Sequence, residues 1–212
     1  MEKKEEHCRK TAQIWRAGGM IWMITITLFF AGYDLYFLNL SLFLSIGLGA
    51  VVVAVTFTLF AWSLKILRLA KRLPDEELID EAKRRKVRKG FLAVLIIEIA
   101  AFNVAPFLLL YFNHIEYIVP VEILICALHF LPLARIFAMP VYYLLGAAVS
   151  VITIMALLLV PASQQIGNLA VIAAIPSLCF IVLNWVVITY ILNDAMKYLV
   201  GPDINAIQVK GF

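Results

Sequence analysis

The chain is 212 residues long, 64% hydrophobic and 15% charged, where an ordinary soluble domain carries about 25% charged residues. Disorder is excluded, and a mean hydropathy of +0.96 excludes a water-soluble domain, because no aqueous core of this size hides that much apolar surface. Eighteen Lys and Arg against fourteen Asp and Glu give a net charge of +4, which in a chain this apolar points to membrane topology and not to nucleic acid.

A hydrocarbon layer of about 30 Å takes about 20 apolar residues of helix. Runs of that length predict an all-α integral membrane bundle of six transmembrane helices, forming a single membrane domain over 1–212. A charged N-terminus (Glu2, Lys3, Lys4, Glu5, Glu6, Arg9, Lys10) leads into the first span, 18–36. No small-residue cleavage site follows that run, so it reads as a retained span and not as a removed signal peptide. The second span is 41–64, where Gly47 and Gly49 allow close helix approach.

The connection 65–90 is the one substantial polar piece. Pro74 followed by Asp75, Glu76 and Glu77 marks a helical first turn, and Asp80 with Arg84 and Glu81 with Arg85 stand i,i+4 with the acid first. A short cytoplasmic helix is therefore expected to run into the third span, 91–112. Within the basic block 83–89, Arg84, Arg85, Lys86 and Arg88 are candidates for holding anionic lipid headgroups, at about 1 kcal/mol each. The plainer reading of the same block is a topology signal alone. The remaining spans are 118–138, 141–160 and 169–192, with Pro106, Pro132 and Pro176 inside the third, fourth and sixth, where neighbouring helices can satisfy the freed carbonyls. Gly146 and Ser150 in the fifth stand at small-xxx-small spacing.

All eighteen basic residues lie before or at the start of span one, in 65–90, at Arg135, or after span six; the connections around Asp34, His114 and Glu116, and 161–168 hold none. The positive-inside rule then places both termini in the cytoplasm. Tyr33, Tyr36, Tyr111 and Tyr117 would form an outer aromatic belt, and Trp15, Trp62, Tyr142 and Tyr198 an inner one. Arg135 reads as an anchor, long enough to reach headgroups or Asp194.

An ionisable side chain at membrane depth costs roughly 2.5 to 3.5 kcal/mol on insertion scales, so each one asks for a reason. At 1.5 Å per residue, Glu98 lies about 10 Å inside span three, His129 near the middle of span four and Asn184 about 10 Å inside span six. If those spans adjoin, the three form one polar cluster, with Asn103 further out. Glu122, Cys126 and His129 are spaced i, i+4 and i+7 and so share one inward helix face. A carboxylate beside an imidazole can bind a proton between them. Glu98, Asn103, Glu122, His129 and Asn184 are thus the candidate ligand or proton-binding set, against a competing role in which they hydrogen-bond between helices and fix packing.

Catalysis has little support: HExxH, GxSxG, the P-loop and the dinucleotide fingerprint are all missing from the sequence. Of His7, His114 and His129, one is at membrane depth, so no metal site is assigned. Cys8, Cys126 and Cys179 share no CxxC spacing and read as inert thiols. No catalytic residue and no cofactor is assigned.

From Ala127 to Pro161 the chain carries Ala127-Leu128-His129-Phe130-Leu131-Pro132-Leu133, then Phe137, the pair Tyr142-Tyr143, Gly146 and Pro161. This His-x-x-Pro segment, followed by a tyrosine and another apolar helix, resembles a family of small uncharacterised bacterial polytopic membrane proteins. The resemblance implies a bacterial cytoplasmic membrane and brings no activity with it. The expected function is binding or transport of a small solute, lipid or proton through the intramembrane cluster. The alternatives are a non-catalytic scaffold or accessory subunit and, more remotely, an intramembrane lipid-modifying enzyme.

Overall fold

A computed structural model describes residues 9–37, 42–71, 81–137, 139–166 and 169–200. Its helices are α1 (Arg9–Phe37), α2 (Leu42–Lys71), α3 (Glu81–Tyr111), α4 (Ile118–Phe137), α5 (Pro140–Leu159) and α6 (Val171–Val200). All six are long and apolar enough to cross a membrane. The chain is therefore an all-helical, multi-pass membrane bundle. The strands β1 (Gln165–Ile166) and β2 (Leu169–Ala170) form a small antiparallel ladder confined to the connection before α6.

Helix α3 starts at Glu81 and runs unbroken from the basic block into the apolar stretch. Pro74 to Asp80, the side chains of Glu81, Lys83 and Arg84, and those of Trp15 and Tyr198 lie outside the described residues, and so do the ion pairs and belt positions expected of them. α3, α4 and α6 continue through Pro106, Pro132 and Pro176. At the far end of α3, Asn113 takes a left-handed φ of 60°. The amides of Asn113 and His114 bond back to the carbonyls of Leu110 and Leu109. That is a Schellman stop, with asparagine in the position usually given to glycine. A 3-10 turn over Ile115–Tyr117 then leads into α4, and Pro140 opens α5 at a position where its missing N–H costs nothing.

Packing is unequal. α6 touches α1, α2, α4 and α5, whereas α3 rests mainly on α4. Of the apolar windows, 61% of that in α6 is buried inside the protein and only 6% of that in α3, which makes α6 the core helix and α3 a peripheral one. α1 faces the core with a stripe at three- and four-residue intervals: Ala17, Met20, Ile24, Thr27, Ala31 and Asp34 are all buried.

The tightest approach is between α4 and α5. A Cβ on Gly146 would lie 2.7 Å from the Ala127 carbonyl oxygen and 3.0 Å from Leu131 Cδ2, so only glycine fits there. Gly47 behaves otherwise: nothing stands within 4 Å of a Cβ built on it, so it supports no close approach. Tyr142 also departs from its expected place. It is 4% exposed and sits inside the bundle, not in an interfacial belt.

Candidate functional site

Because α3 leans on α4 and not on α1, a cleft of about 480 Å³ remains between α1 and α3. Gly18, Gly19, Trp22 and Met23 form one wall; Phe91, Val94, Leu95 and Ile99 form the other. The back is α4 (Phe130, Leu133, Phe137) with Tyr142 of α5. Trp22 and Ile99 are 49% and 53% exposed, so the opening is on the flank of the bundle. The two glycines matter here because they remove side chains from the α1 wall: a Cβ on Gly19 meets nothing closer than the Tyr142 hydroxyl at 4.0 Å.

Glu98 and His129 also line this cleft. Glu98 comes from α3 on the same face as Phe91, Val94 and Leu95, and His129 comes from the inward face of α4. Their exposures are 5% and 9%. Glu98 Oε1 lies 3.0 Å from His129 Nδ1. The approach is off-line for a hydrogen bond, and neither atom has another hydrogen-bond partner. The contact is therefore electrostatic, with each group still able to turn towards a third. The imidazole also stacks on Phe130, with centroids 4.4 Å apart. Matched depth in the sequence thus corresponds to direct contact in space.

The other expected members lie elsewhere. Asn184 is 0% exposed but turns to α1: its Nδ2 donates to the Met23 carbonyl at 3.1 Å and to Thr27 Oγ1. The Thr27 hydroxyl donates in turn to the same carbonyl at 2.8 Å. Asn184 therefore fastens α6 to α1 and does not join the pair, because α3, which carries Glu98, sits on α4 instead of beside α6. Asn103 is exposed and its Nδ2 bonds to Ile99 O of its own helix at 2.6 Å. Glu122 is half-buried one end further along α4, and Cys126, fully buried, lies between it and His129, under the influence of both Glu122 and Glu98.

Arg85, Lys86 and Lys89 line an open groove at the start of α3, and Arg88 and Arg135 are likewise exposed. Arg88 stands one turn before Phe91 and so extends the cleft-lining face of α3 towards that end of the bundle. No group of three His, Cys, Asp or Glu among the described residues could hold a metal ion.

Gly18, Gly19, Trp22 and Tyr142 were not visible as site residues in the sequence. Asp34, read there as part of a connection, is 2% exposed inside α1; its place at the end of the three-and-four stripe was the available signal. No family model matches the chain, and comparison with curated proteins and with solved structures likewise finds no match.

Proposed function

We propose that this protein binds an amphipathic lipid in the cleft between α1 and α3, with the ligand's polar group drawn to Glu98 and His129. The observation that carries this reading is a flank-opening cleft with apolar and aromatic walls that holds one close carboxylate–imidazole pair. A water-soluble solute would lose its hydration against such walls and regain too little from a single polar pair. A lipid keeps its apolar part in an apolar setting, and the pair accounts for its polar group. With Nδ1 turned to Glu98, the Nε2 edge of His129 is left for the ligand, and the pair can accept or release a proton as the ligand binds.

In this reading the basic end of the bundle faces the cytoplasm, as the distribution of Lys and Arg supports. Arg84, Arg85, Lys86, Arg88 and Arg135 then lie at the inner headgroup plane and hold anionic headgroups. A scaffold role is less well supported, because packing alone would favour a closed, fully hydrogen-bonded cluster and this one opens on a cavity. The 3.0 Å contact favours a second reading, in which Glu98 orients His129 as general base towards a lipid hydroxyl.

Mass spectrometry of the intact protein released from detergent tests the binding reading. Wild type is expected to retain a lipid that Gly19→Phe, which fills the cleft, loses. Equal retention by both, or none by either, would sink it. Orientation has its own test: cysteines at Asn39 and Gln164 should react with an impermeant thiol reagent outside whole cells and one at Ala82 should not. Labelling at Ala82 in sealed cells would reverse the assignment.

A further inference from the structure

The opposite end of the bundle holds a second buried carboxylate that the cleft does not use. Asp34 is 2% exposed, and both of its carboxylate oxygens are sealed from solvent without a hydrogen-bond partner. Its position follows from the register of two antiparallel helices. Met20, Thr27 and Asp34 recur every seven residues on the buried face of α1, and Ile191, Asn184 and Ser177 do the same on α6. The middle rung is closed by the Asn184 amide on Thr27. The end rung is open: the Ser177 hydroxyl, 0% exposed, lies beside the Asp34 carboxyl but outside hydrogen-bond geometry, and has no other hydrogen-bond partner.

The surroundings decide what such a group can hold. Tyr33 adjoins Asp34 in α1 and is partly buried, and the nearest carboxyl of α4 towards this end is the half-buried Glu122. Helix α2 offers no titratable group at this end; its Lys65, Arg68 and Lys71 are at the other. On α6, Tyr190, Asp194 and Lys197 are likewise at the far end, and the thiol of Cys179 is the nearest titratable group to Ser177. His114 is at this end but exposed, and it pairs with Glu116 at 3.5 Å. No described cation therefore neutralises Asp34. A bound metal ion would need a shell of several ligands, and no group of three His, Cys, Asp or Glu among the described residues could supply one. A proton needs no shell. A neutral carboxyl has one O–H to place, and an unpartnered hydroxyl oxygen stands next to it.

We propose that Asp34 is a proton-binding site at the end of the bundle opposite the cleft, with Ser177 accepting the hydrogen bond of the protonated carboxyl. The proton comes from the aqueous phase on that side and returns to it, with no other bond made or broken. The site stands independently of lipid binding in the cleft.

Infrared difference spectroscopy on the purified full-length protein, acid form minus alkaline form, in H₂O and D₂O, tests it. Wild type should show the deuterium-sensitive carbonyl stretch of a buried protonated carboxyl. Asp34→Asn should abolish that band. Ser177→Ala should keep it and move it to higher frequency, which gives a second reading should Asp34→Asn fail to fold. Glu98→Gln should leave the band in place. A band that survives in Asp34→Asn, or one unmoved by Ser177→Ala, overturns the proposal. So does a carboxylate band that responds to Na⁺ or K⁺ and not to pH. Because the readout is the Asp34 band itself, an unretained lipid in wild type would remove the cleft reading and leave this one standing.

Discussion

Glu98 and Asp34 are two carboxylates buried to nearly the same degree, 5% and 2% exposed, on helices that run in the same direction through the bundle. What differs is the neighbour. Glu98 meets an imidazole at 3.0 Å and looks into a cavity; Asp34 meets a hydroxyl across a tightly packed seam and looks into nothing. An imidazole can carry the opposite charge, so the Glu98 pair can stay polar and serve a ligand. A hydroxyl carries no charge, so Asp34 has no counter-charge across the seam. Burial alone therefore does not say what a membrane carboxylate does; the group across from it does.

The contrast can be broken at several points. The largest effect is expected from His129→Ala, which leaves Glu98 buried without the imidazole it meets. It should lower stability by on the order of 3 kcal/mol in detergent unfolding. An unchanged unfolding midpoint would mean that the contact contributes nothing to the fold. Gly146→Ala comes next, at about 1 to 3 kcal/mol from overpacking against the Ala127 carbonyl. It should disturb lipid retention through α4 while leaving the Asp34 seam alone, and a normal melting temperature would contradict the close approach.

Glu98→Gln should stay within about 1 to 2 kcal/mol of wild-type stability, since an amide of the same shape keeps the packing. If the pair serves a ligand, the same variant should lose any pH dependence of lipid retention. A stability loss with retention unchanged would return the pair to a packing role. Asn184→Ala removes the closed rung of the α1–α6 seam and should cost about 0.6 to 1.7 kcal/mol, read as a shift in thermal midpoint. On stability the smallest effect is expected from replacing Arg84, Arg85, Lys86 and Arg88 together with Gln, which should leave folding untouched while weakening association with anionic vesicles by about 1 kcal/mol per charge. Unchanged vesicle binding would reduce the block to a topology signal.

The sequence made the helical bundle legible because each apolar run matches the thickness of a bilayer, a constraint that no tertiary contact can override. It also aligned Glu98 with His129, since depth along a membrane helix is close to a linear function of residue number. Depth could not say which helices touch. Asn184 stands at a compatible depth, yet it serves α1 because α6 is central and α3 is not. The cleft was invisible for a related reason: Gly18, Gly19 and Trp22 have no shared pattern, and a cavity is defined by the helix that fails to fill it. Asp34 was legible in principle, as the last member of the stripe begun by Ala17 and Met20. Its nearness to a helix end made it look like part of a connection.

The loose seating of α3 has a mechanical consequence. Held mainly along its line of contact with α4, this helix is the one whose outward displacement would disturb the core around α6 least. Glu98 is on the helix that would move and His129 on the one that would stay, so widening the cleft and stretching their 3.0 Å contact are one motion. The pair is therefore a charged or polar link among the cleft-lining side chains that such a widening would have to break.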